Sequence, residues 1–68
     1  MIKNKIGENA GKIWNILNKN IEMNIKELKK VTNLYDKDLL LALGWLSREN
    51  KVFFWGDKND FQICLTEN

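Results

Sequence analysis

The chain has 68 residues, 44% hydrophobic and 29% charged, with three Trp, three Phe and one Tyr. That composition excludes a disordered chain and points to one domain over residues 1–68 with a small core, since a chain this short buries only roughly 60% of its unfolded surface. A single cysteine, Cys64, excludes an intrachain disulfide, the absence of histidine removes the commonest metal ligand and general base, and a net charge of +2 is modest for a nucleic-acid binder.

Ile6, Ala10, Ile13, Trp14 and Leu17 recur at helical spacing and predict a first helix from about Gly7 to Asn18, stopped by Asn18–Asn20. Glu22–Asn24 reads as a short extended piece. Ile25, Leu28 and Val31 then predict a second helix over Ile25–Val31, with Asn24 as N-cap and Glu27 as its third residue. Thr32-Asn33 breaks it, and Leu34 plugs the turn. Leu39, Ala42, Leu43 and Leu46 share one face of a third helix over Asp36–Glu49. Asp36 and Asp38 favour its positive end, Arg48 its negative end, and Asn50 stops it. Either Tyr35 or Asp36 caps this helix. Lys51–Trp55 and Phe61–Thr66 read as a β-hairpin with a five-residue loop, Gly56–Asp60. Val52 and Phe54 should face inward with Phe61, Ile63 and Leu65 behind them, which turns Phe53 and Trp55 outward against Gln62 or Cys64.

The order helix, short strand, helix, turn, helix, hairpin resembles a winged helix-turn-helix domain, an α+β fold of three helices plus a C-terminal β-hairpin wing. Ile25-Lys26-Glu27-Leu28-Lys29-Lys30-Val31-Thr32 with Leu34 resembles its second helix and turn. Leu39, Ala42-Leu43, Leu46 and Lys51-Val52 resemble its third helix running into the first wing strand. The segments Ile6–Trp14 and Asp36–Leu46 are also similar to a family of small stand-alone bacterial winged-helix proteins of uncharacterised function. Tyr35 departs from the Ser or Thr usual at its position. The resemblance implies DNA binding and transcription regulation, with the third helix in the major groove and the wing on the backbone, although many winged helices have become protein-interaction modules.

The residues divide between these readings. Lys3, Lys5, Lys12 and Lys19 face only Glu8 in residues 1–20, whereas residues 35–68 are slightly acidic. Candidate contacts to double-stranded DNA are Lys26, Lys29 and Lys30 on the second helix, Lys37 and Arg48 at the ends of the third, and Lys58 in the wing, with Leu41 placed for a thymine methyl. The middle of the third helix is apolar, however, and Lys58 lies between Asp57 and Asp60. Leu41, Trp45, Phe53 and Trp55 would together be too apolar to leave wet, so the alternative is a protein-interaction or homodimerisation module that uses the third helix and wing with little or no DNA binding.

Catalysis is not expected. Ser47 and Cys64 have no histidine to activate them, and Asp36 with Asp38 diverge as helix-start residues. No cofactor, metal site or small-molecule substrate is indicated. The longest apolar run, Leu39–Leu43, is far short of the roughly 18 residues of a membrane span, no signal peptide is visible, and cysteine usage fits the cytoplasm.

Overall fold

The computed structural model describes the backbone of residues 2–66 and the side chains of residues 5–66, so Lys3 and Glu67 lie outside the described side chains. The elements run α1 (Ile2–Lys19), β1 (Met23–Asn24), α2 (Ile25–Thr32), α3 (Asp36–Arg48), β2 (Val52–Asp57) and β3 (Asp60–Leu65). The three strands form one antiparallel sheet in the order β1-β3-β2. This is the expected α+β architecture, with the wing at the C-terminal end.

The helix α1 begins at Ile2, not Gly7. Gly7 and Gly11 weaken a helix but do not stop this one, because each faces open space and nothing lies within 4 Å of where a Cβ would sit. Ala10, Ile13 and Leu17 enter the core as predicted. Trp14 sits on the rim of that face and keeps 36% exposure, so it is not a core residue.

The turn before α2 is built by local hydrogen bonds. The Glu27 N–H donates to Asn24 Oδ1 at 2.8 Å, and the Asn24 N–H donates to Glu27 Oε1 at 3.3 Å, a complete capping box. Leu28 and Thr32 are the buried pair, while Val31 is 56% exposed. The i, i+3, i+6 spacing drifts about 120° around a helix by its third member, which carries Val31 away from the core. Thr32, four residues after Leu28, takes the place; its hydroxyl donates to Leu28 O at 2.8 Å and so enters the core satisfied. Asn33 ends α2 in the left-handed region at φ 57°, and its N–H donates to Lys29 O.

Helix α3 buries Leu39, Ala42, Leu43 and Leu46 as predicted. Tyr35 holds the N-cap position without a side-chain cap bond, so the acidic first turn of Asp36 and Asp38 favours the start through charge alone. Glu49 is the C-cap, and Asn50 turns the chain at φ 57°, letting the Lys51 N–H donate to Leu46 O.

The wing is a tighter hairpin than its composition suggests. Val52 pairs with Leu65, Phe54 with Ile63 and Gly56 with Phe61, and the ladder continues to Asp57 opposite Asp60. Only Lys58 and Asn59 remain in the turn, not the five residues predicted. The Asn59 N–H donates to Asp57 Oδ1 at 3.1 Å, and Gly56 supplies a positive φ of 106° just before the turn. Loop-like residues can extend a strand here because this end of the wing is exposed and needs no apolar side chains.

Candidate functional site

Lys26 and Lys30 are four residues apart on the exposed side of α2, away from buried Leu28. Lys29 is committed to Asp36, with Nζ 2.7 Å from Oδ1, and ties α2 to the start of α3. This exposed pair is worth well under about 1 kcal/mol, but it takes Lys29 out of the free basic set. Lys12 of α1 reaches Thr32 O at 3.4 Å, placing a cation at the negative end of α2.

Lys37 and Arg48 stand exposed at the two ends of α3, with Leu41 at 43% exposure between them. Lys37 and Leu41 line a small cavity of about 200 Å³ against Lys5, Ile6 and Asn9 of α1. Lys58, in the wing turn, is exposed and lines a different hollow. The predicted basic residues therefore surround α2 and α3 without converging on a single point.

The hollow beside Lys58, about 530 Å³, lies between α3 and the wing. Leu40, Leu43, Gly44 and Ser47 line it from α3, and Phe54, Phe61 and the strand residues Trp55 and Gly56 from the hairpin. The inward packing predicted for Phe54 is only partly realised. Phe54 does share the face of Val52, but it overhangs this hollow at 40% exposure and meets Phe61 edge to face, with ring centroids 5.7 Å apart.

The four proposed apolar anchors do not form one patch. Trp45 is partly buried against the core and lines an α1–α3 cavity with Gly7, Gly11 and Trp14, which corrects its outward placement. Leu41 lies toward α1. Phe53 and Trp55, each half exposed, stand on the outer face of the sheet opposite Cys64 and Gln62. The residues missed are Phe54 as a surface group and Leu40 as its neighbour across the groove. The Leu40, Gly44, Ser47 spacing marks that side of α3, but only the pairing register shows which strand lies beside it.

On the outer sheet face the Trp55 indole N–H donates to Glu22 Oε1 at 3.2 Å. Cys64 is buried nearby, as a small packed residue. Burial pushes its thiol pKa up, and the Glu22 carboxylate adds to the effect. Such a thiol is a poor nucleophile at neutral pH. Among the described residues no group of three His, Cys, Asp or Glu side chains could hold a metal ion, and no helix is long and apolar enough to cross a membrane.

Comparison with known proteins places this arrangement. A family described as a winged helix-turn-helix domain (DUF2582) matches residues 1–65. The uncharacterized protein MJ1608 of Methanocaldococcus jannaschii is 36% identical over 64 residues, spanning 90% of each chain. The solution structure of protein BT2368 from Bacteroides thetaiotaomicron superposes with a TM-score of 0.82 at 40% identity, covering 96% of this chain and 79% of that one.

Proposed function

The chain belongs to the winged helix-turn-helix domain family DUF2582, and from that membership we propose that it is a non-enzymatic DNA-binding module of transcription regulation. It would act in the cytoplasm and hold duplex DNA chiefly by its phosphates. The observation that carries this reading is the partition of charge. Residues 25–48, the helix-turn-helix unit, hold five basic side chains against three acidic, and residues 2–19 hold four against one. The wing segment, residues 51–66, is balanced at two and two. Lys26 and Lys30 on α2 and Lys37 and Arg48 on α3 supply the phosphate contacts, with Lys58 at the wing. The exposed middle of α3 offers Leu40, Leu41 and Gly44, which donate no hydrogen bonds to base edges. Base discrimination is therefore weak and comes from apolar contact such as Leu41 on a thymine methyl.

Fluorescence anisotropy of a labelled randomised duplex tests this, titrated at roughly 50 and 200 mM salt. Affinity should fall steeply between the two. Lys37→Glu combined with Arg48→Glu should abolish binding, and unaltered binding would overturn the assignment to α3. A second reading, association with a protein or a second copy, is favoured by the apolar groove between α3 and the wing. An absence of binding even at the lower salt would favour that reading.

A further inference from the structure

The sheet order β1-β3-β2 leaves β2 with one side unpaired. Its sequence, Val52-Phe53-Phe54-Trp55-Gly56-Asp57, contains no proline, no charge before its last residue, and three large aromatics between 40% and 50% exposed. Natural edge strands are usually blunted by charge, proline or cover. This one is not.

The register shows which backbone groups point outward. Asp57 and Asp60 flank the two-residue turn, and the Thr66 N–H donates to Lys51 O at 2.9 Å, so the odd-numbered residues of β2 bond to β3. The N–H and C=O groups of Val52, Phe54 and Gly56 therefore face the open edge. Among the described residues no backbone hydrogen bond outside the ladders engages residues 52–57.

We propose that β2 pairs antiparallel with β2 of a second copy of this chain, about a two-fold axis at Phe54. This deepens the association reading: it names the partner and moves the contact from α3 to the sheet edge. Three features fit that single register. Phe54 meets the partner's Phe54 as a hydrogen-bonded pair, and Val52 meets the partner's Gly56, so every outward backbone group of these residues is used. Phe53 falls opposite the partner's Trp55 as a close non-hydrogen-bonded pair, giving two aromatic cross-strand contacts on the outer face. One step further, Lys51 falls opposite the partner's Asp57, so both ends of the paired strands close on opposite charges. An axis between two residues would place outward-facing residues opposite residues already bonded to β3, whereas an axis at Phe53 or Trp55 would keep some of the backbone pairing but run Gly56 or Val52 past the end of the partner's β2 and take Lys51 off the partner's Asp57.

Sedimentation velocity over a wide concentration range, with circular dichroism as a check on folding, tests the contact. The wild-type chain should dimerise. Phe54→Pro removes an outward N–H without touching the β3 ladder and should give a folded monomer. Lys51→Asp sets like charges opposite each other and should weaken the dimer about tenfold, counting both symmetric pairs. Lys51→Asp with Asp57→Lys should restore it, since the two positions are too far apart on one strand to pair within a chain. A monomer at all concentrations would overturn self-association and this contact together. A dimer indifferent to Phe54→Pro, or a charge reversal that the double variant fails to rescue, would overturn the β2 contact alone.

Discussion

Cys64 shows how one side chain reports the outer face of the sheet. It is buried opposite Phe53, and its thiol pKa is raised first by burial and then by the Glu22 carboxylate, which also holds the Trp55 indole. Below the ordinary thiol pKa of 9.0 both folded and unfolded chains keep the proton, and the fold has its full stability. As pH rises through that value the unfolded chain ionises while the folded chain resists, so stability falls. Urea midpoints measured between about pH 8 and pH 10 should decline in the wild type and stay flatter in Cys64→Ala, apart from changes common to both. Labelling by a disulfide reagent at neutral pH should be slow until denaturant is added. Glu22→Gln should speed it, because the carboxylate's repulsion of the thiolate is gone while the amide oxygen still accepts from Trp55.

At the scale of elements, two helix substitutions separate local signals from tertiary ones. Asn24→Ala removes the acceptor for the Glu27 N–H at the start of α2 and should cost about 1 kcal/mol, read as a lower chemical-denaturation midpoint. Gly44→Ala should do the opposite. An added Cβ there meets nothing within 4 Å, and alanine favours an exposed helix interior by up to about 1 kcal/mol over glycine. Elements with a local cause are legible in the sequence: the Asn24–Glu27 box starts α2, and the Leu39–Leu46 spacing buries one face of α3. Helix geometry also carries Val31 off the Leu28 face and brings Thr32 onto it, its hydroxyl bonded to Leu28 O. Two features have tertiary causes and are not legible. The wing ladder runs on through Gly56 and Asp57, residues of turn-like composition. The candidate site is legible as a set of exposed basic and aromatic residues, but not as a surface. Leu41 and Trp45 go toward α1, while Phe53 and Trp55 go to the far side of the sheet.

Across the whole molecule the two proposed activities occupy different layers, which makes them separable. The helices carry the excess positive charge, and the wing segment, residues 51–66, is neutral, with an apolar free edge on β2. Lys26→Glu with Lys30→Glu reverses two exposed charges on α2, at positions with no ion-pair partner among the described residues. If both cations hold phosphates, the slope of log affinity against log salt should shrink by about 0.9 for each phosphate no longer neutralised. Affinity for all duplexes should fall together, since neither residue reads a base. Sedimentation of the same variant should match the wild type, because β2 lies on the other layer. Phe54→Pro should give the complementary result, with association abolished and the phosphate-binding groups of each monomer intact. Its binding to duplex would then weaken only because a linked second site is missing, and the salt slope would fall toward that of one monomer. An equal loss of DNA binding and association in the α2 variant would show that a single surface serves both, contrary to the division of the fold into a basic helical layer and an apolar sheet edge.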